Sequence, residues 1–110
     1  MRNKVFLKTD IPDSVIDLVV AVCSDYSRRI RALANDGIST GQRELYTRLN
    51  SAVDNALDNV EIGLRNKLLD DIIQGRGFNK SHANVAVCKS SYYARKRLVI
   101  ESIAKNLYLV

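Results

Sequence analysis

Apolar residues recur at helical spacing along most of the chain, and three breaks divide the pattern. Ile16, Val19, Cys23, Tyr26, Ile30 and Leu33 follow one another at intervals of three and four. That 3.5-residue repeat is the spacing of a helical seam, and it suits packing inside the monomer better than a surface reserved for dimerisation. Asp10 can cap this element, with Pro12 in the first turn, where a missing N–H costs nothing. The spacing predicts one helix to about Ala34, with Arg28, Arg29 and Arg31 near the end where cations complement the dipole. Residues 1–9 have no clear period and read as an arm, with a short extended piece at Val5-Phe6-Leu7.

Asn35-Asp36-Gly37 stops the first helix, with Gly37 in the left-handed conformation. Ser39-Thr40-Gly41-Gln42 reads as a capping box opening a second helix. Its inward face is Leu45, Leu49, Ala52, Val53 and either Ala56 or Leu57. A loop of about five residues makes these two helices antiparallel neighbours. Asp58-Asn59-Val60-Glu61 reads as a second capping box. Beyond it Ile62, Leu68, Leu69, Ile72 and Ile73 mark a third helix closing at Gln74-Gly75. The glycine-rich stretch from Gly75 to Lys80 follows no strand and fits no nucleotide-binding spacing, so it reads as a turn. Ser81 can cap a short helix to about Ala86, packed through Ala83, Val85 and Val87.

The last segment has the strongest two-sided pattern. Ser90 or Cys88 stands where an N-cap belongs. Tyr92, Val99, Ile100, Ile103, Ala104 and Leu107 fall on one face, while Ser90, Ser91, Ala94, Arg95, Arg97 and Leu98 fall elsewhere. Short helix, tight turn, longer basic helix is the order of a helix-turn-helix, whose second helix enters the major groove. The expected fold is all-α: a single domain over 1–110, built as a bundle of about five helices. An antiparallel N-terminal hairpin belongs to a helical body at 10–74, and the helix-turn-helix occupies 78–107.

Composition sharpens this picture through charge. The net charge is +5, yet residues 1–60 balance eight Lys/Arg against eight Asp/Glu. Residues 72–110 carry seven Lys/Arg and one acid, Glu101. A basic end on a neutral body is a polyanion-binding footprint. No apolar run approaches the roughly 18 residues that span a bilayer, and Met1-Arg2-Asn3-Lys4 opens no signal pattern. A cytoplasmic, non-membrane protein is expected. Cys23 and Cys88 lie far apart and match no metal spacing; they read as a small apolar filler and a turn residue. His82 is the only histidine, and Asp70 and Asp71 project in different directions on a helix. These residues form no catalytic constellation, so neither an enzyme nor a cofactor is expected.

The run Val87-Cys-Lys-Ser-Ser-Tyr-Tyr-Ala-Arg-Lys-Arg97, with Ile100-Glu-Ser-Ile-Ala104 after it, resembles the C-terminal segment of the ArpU/RinA-type phage transcriptional regulators. Those in turn resemble region 4 of bacterial sigma factors. Val22-Cys-Ser-Asp-Tyr-Ser-Arg-Arg-Ile30 is similar to the cysteine, Asp-Tyr and paired-Arg signature of their first helix. The likeness spans about residues 13–107, although Cys88 stands where the family usually places a capping serine. It implies a regulator of phage or prophage late genes in a bacterial host. Tyr92, Val99 and Ile103 would form the buried side of its reading helix, and Lys89, Ser90, Ser91 and Arg95 its groove side.

The expected function is therefore sequence-specific binding of double-stranded DNA in transcription regulation, with RNA polymerase as a further partner and a homodimer as the assembly. Lys80, Lys89, Ser90, Ser91, Ala94, Arg95, Arg97 and Lys105 are the expected contact residues, and Arg76 would meet phosphates. The alternative is an all-helical, anti-sigma-like adaptor whose basic face binds an acidic protein.

Overall fold

The computed structural model describes residues 9–78 and 88–110. Five helices lie among them: α1 (Asp13–Ser24), α2 (Tyr26–Leu33), α3 (Thr40–Leu57), α4 (Ile62–Gln74) and α5 (Lys89–Asn106). No strand occurs among the described residues, so the fold is an all-helical bundle. The expected helix at Ser81–Ala86 lies outside the described residues, as does Lys80.

One apolar core joins the elements. α1 contributes Ile16, Val19, Val20 and Cys23; α3 contributes Val53, Ala56 and Leu57; α4 contributes Leu64, Leu68 and Ile72. α5 closes it with Tyr92, Val99, Ile100, Ile103 and Ala104, all wholly buried. The inward face read from the spacing of α5 is thus the face that packs, with Leu107 half-covered at its end. Burying each such side chain contributes about 1.5–3 kcal/mol.

The expected first helix is two helices. Asp25 interrupts it with φ −98° and ψ 3°, beside Ser24, whose hydroxyl donates back to the Val20 carbonyl at 2.8 Å. Such back-bonding bends helices. The break shifts the phase of the seam, so Arg29 is buried and Ile30 is 48% exposed. The Arg29 guanidinium donates to Asn50 Oδ1 at 2.6 Å and to the Val22 carbonyl at 2.5 Å. Tyr26 donates to Asp54 at 2.5 Å, and Arg43 donates to the Leu33 carbonyl at 2.9 Å. The Arg29–Asn50, Tyr26–Asp54 and Arg43–Leu33 pairs join α2 and α3 in opposite chain directions, and the Arg29–Val22 bond ties α2 back to α1.

The capping box at Ser39 forms as read: Gln42 N donates to Ser39 Oγ and Ser39 N to Gln42 Oε1, both at 3.1 Å. Gly37, by contrast, is not left-handed. Asn35 Oδ1 accepts from Gly37 N at 2.9 Å, closing the turn by side chain instead. Leu45 is exposed rather than inward, because α3 turns Asn50, Val53 and Leu57 toward its neighbours.

No capping box forms at Asp58–Glu61. Glu61 caps α4 without a side-chain bond, and Arg65 takes up the nearby carbonyls of Val60 and Asp58 at 2.7 and 3.1 Å. Ile62 is exposed and Leu64 takes the inward position expected of it. Starting α4 at Ile62 aligns Leu64, Leu68 and Ile72 four residues apart on one stripe. Gly75 ends α4 in the left-handed region at φ 69°, the conformation glycine adopts without a Cβ penalty.

Candidate nucleic-acid interface

α5 is fixed from behind and open in front. Successive residues of a helix turn by about 100°, so the face opposite Tyr92, Val99 and Ile103 carries Ser90, Ala94, Arg97, Leu98, Glu101 and Lys105. Ser90, Ala94, Arg97, Leu98 and Lys105 are exposed. Lys89, at the first turn, is exposed as well, while Ser91 is half-buried. The structure thus brings Lys89, Ser90, Ser91, Ala94 and Arg97 together at the start of one helix, with Lys105 two turns beyond Arg97.

Arg95 departs from its expected exposure. Its side chain is half-buried, and Nε donates to both carboxylate oxygens of Glu61 at 2.7 and 2.8 Å. Nη1 also donates to the Ser91 carbonyl at 3.3 Å. The guanidinium sits on the flank of α5, one turn in from Ser91, and bridges to the start of α4.

Lys96 lies deeper still. In the run Arg95-Lys96-Arg97 it is the member that turns inward, only 1% exposed. Its Nζ donates to the Arg76 carbonyl at 2.7 Å, and burial pulls its pKa down to about 8. Beside it lies Asp71, equally buried. Asp71 Oδ2 accepts from the Tyr92 hydroxyl at 2.5 Å and from Lys67 Nζ at 2.9 Å. Arg76 Nε stands 3.3 Å from Asp71 Oδ1, and the same guanidinium pairs with Asp70. Burial, then the bond to Asp71, raise the pKa of the Tyr92 hydroxyl.

The loop after α4 is held by the same group of residues. The Tyr93 hydroxyl accepts from Phe78 N at 3.0 Å, and the Phe78 and Tyr92 rings meet edge-on at 5.5 Å. At Gly77 a Cβ would stand 2.4 Å from the Tyr93 hydroxyl, so a side chain there would displace the ring. This polar and aromatic latch sets where α5 begins relative to α4. Arg76 and Arg95 are ion-paired and Lys96 is internal, while the Lys89, Arg97 and Lys105 residues of α5 are exposed.

The N-cap of α5 is Cys88, in extended conformation and without a side-chain capping bond. Its Sγ lies 3.2 Å from Ser90 Oγ and from Ser91 Oγ, and these hydroxyls draw the thiol pKa down to about 6. Cys23 is fully buried, and desolvation pushes its thiol up to about 12. Both cysteines are free. Because the thiolate is the nucleophile, Cys88 should react with a disulfide reagent at pH 7 at once and Cys23 only after unfolding. The fast phase should be half-maximal near pH 6. Two thiols reacting together in the native protein would contradict these environments.

Among the described residues, no helix is long and apolar enough to cross a membrane. No group of three or more His, Cys, Asp or Glu side chains there could hold a metal ion. Compared with protein-family models, curated proteins and solved structures, the chain matches none.

Proposed function

We propose that the chain is a sequence-specific DNA-binding transcriptional regulator, with α5 as the helix that enters the major groove. In keeping with the resemblance noted above, its setting would be phage or prophage late genes in the cytoplasm of a bacterial host. RNA polymerase would be a further partner. The observation that carries the reading is the open front of α5. Lys89, Ser90, Ser91, Ala94 and Arg97 share its first turns, no acid precedes Glu101 on that helix, and the opposite face is locked in the core. Small residues let the backbone approach base edges, hydroxyls at a helix N-terminus suit phosphate oxygens, and the exposed cations supply the salt-dependent attraction.

Arg95 retains a base-reading role in this proposal, and magnitudes decide whether its ion pair forbids it. An exposed pair such as Arg95–Glu61 is worth about 0.2–1 kcal/mol. A guanidinium bound bidentately to guanine O6 and N7 discriminates by about 1–3 kcal/mol. The side chain can therefore leave Glu61 for a base. Lys105 contributes only phosphate attraction, and Lys80 belongs to the same set.

The test is a titration of duplex by fluorescence anisotropy across salt concentrations, after selection of a preferred site from a random duplex pool. Each phosphate contact steepens log affinity against log salt by about 0.9, so Lys80, Lys89, Arg97 and Lys105 together give a slope near −4. Arg95→Ala should cost about 1–3 kcal/mol on the preferred site and relax its sequence preference. Lys105→Ala should weaken all duplexes alike. A homodimer would place two copies of α5 on half-sites about 34 Å apart, read as two chains per selected site. Absence of duplex binding at low salt would end the proposal, and an acidic protein partner undisplaced by duplex would establish the adaptor instead.

A further inference from the structure

Glu61 stands at the N-cap of α4 but makes no capping bond with its side chain. Its carboxylate turns instead to α5, where both oxygens accept from Arg95 Nε, at 2.8 and 2.7 Å. Arginine and a carboxylate frequently meet through two parallel N–H···O bonds. Here a single N–H is shared between the two oxygens, so the ion pair takes up the inner end of the guanidinium and not its tip.

A count of donors shows what that leaves. A guanidinium carries five N–H groups in a fixed plane, one on Nε and two on each terminal nitrogen. Glu61 takes the first, and the Ser91 carbonyl takes one from Nη1 at 3.3 Å. One hydrogen on Nη1 and both on Nη2 have no acceptor among the described residues. An end-on bidentate contact to guanine O6 and N7 uses one hydrogen from each terminal nitrogen. Weak as it is, the pair with Glu61 therefore need not break for Arg95 to read a base. The two side chains are 32% and 42% exposed, so a duplex can reach the pair without unfolding either helix.

A pair that stays closed acts in two ways. The fork is already ordered when it meets the base, so less side-chain freedom is lost on binding. The pair also carries no net charge, so Arg95 adds little to the attraction of phosphates, which is the sequence-independent part of binding.

We propose that Glu61 is a positioning residue for base recognition. Its carboxylate holds Arg95 by Nε, directs the terminal nitrogens at guanine, and neutralises the same side chain toward phosphates. The inference rests on the duplex-binding reading of α5 and deepens it. The sequence preference of Arg95 then depends on a residue at the start of α4 that itself touches no base.

The experiment measures affinity and salt dependence for wild type, Glu61→Gln, Arg95→Ala and the double variant, on the selected duplex and on random duplex. Glutamine keeps the size of the side chain and removes its charge. All four proteins should fold alike by circular dichroism, since neither position belongs to the apolar core. Released from Glu61, Arg95 becomes an ordinary phosphate contact on random duplex. Glu61→Gln should therefore bind random duplex more tightly, with a salt slope steeper by about 0.9. Its preference for the selected site over random duplex should fall by about 1.4- to 5-fold, the range an exposed ion pair can supply. In the Arg95→Ala background, Glu61→Gln should leave that preference unchanged, whereas a merely structural effect of residue 61 would lower it in both backgrounds. An unchanged or higher preference in Glu61→Gln, or the same fall with and without Arg95, would overturn the inference and leave the reading of α5 standing. Absence of duplex binding by wild type at low salt would overturn both.

Discussion

Asp71→Ala should be the most destabilising change outside the apolar core, costing about 3–5 kcal/mol, the range for removing one partner of a buried ionic group. The side chain is nearly inaccessible and is approached by three donors from three parts of the chain: Lys67 on α4, Arg76 in the loop and Tyr92 on α5. Without the carboxylate, Lys67 loses its partner and the Tyr92 hydroxyl is stranded in the core. An unpaired buried polar group costs about 1–3 kcal/mol by itself. Total stability of a domain this size is about 5–15 kcal/mol, so the variant would sit close to unfolding. Asp71→Asn keeps an acceptor for Tyr92 and should lose less. Urea unfolding followed by circular dichroism measures both, and a cost below about 1 kcal/mol for Asp71→Ala would remove the latch from the account of stability.

Arg29 should be nearly as sensitive, for a different reason. Its guanidinium has two acceptors in two places, Asn50 on α3 and the Val22 carbonyl beside the helix break. Only a forked donor satisfies both. Arg29→Ala leaves both acceptors without it and opens a gap between α2 and α3, for about 3 kcal/mol in all. Arg29→Lys keeps the charge but supplies a single point donor, and should recover less than half of that. Burial already lowers the pKa of Arg29, so a lysine there, with its lower intrinsic pKa, meets the same desolvation with weaker bonding. Thermal unfolding of the two variants checks the order, and equal stability of Arg29→Lys and wild type would contradict it.

Much of this architecture was legible in the sequence. The apolar spacing marked the all-helical class and the buried side of α5, while Ser39-Thr40-Gly41-Gln42 marked the start of α3 and Gln74-Gly75 the end of α4. The misreadings of Ile30, Arg29 and Lys96 share one origin. Periodicity assumes an unbroken helix and an apolar interior, and this chain breaks both assumptions at once. A one-residue interruption at Asp25 exchanged Ile30 for Arg29. The inward position of Lys96 was itself readable, since it falls four residues after Tyr92 and three and four before Val99 and Ile100. A charge on that face runs against an apolar interior, and the partners that keep it inside come from α4 and the loop. Arg95 lies on the flank of α5, and its pairing with Glu61 joins residues 34 apart (|i−j|), which no local pattern encodes.

The α2–α3 end of the molecule has a consequence for how the chain comes apart. From Ile30 to Leu49 no residue is buried, and the long axis of 44 Å against 22 Å for the shortest reflects an elongated body. Opening that stretch exposes little new apolar surface, so its free-energy cost is a fraction of the global value. The Arg29–Asn50 bond is where such fraying stops. Backbone amides on the tip side of it belong to a low-energy opening unit, whereas those of Leu68, Ile72 and Val99–Ala104 meet solvent only when the whole chain unfolds. The stability of this protein is thus graded along its length, steepest where two side-chain bonds from one guanidinium tie α2 to both α1 and α3.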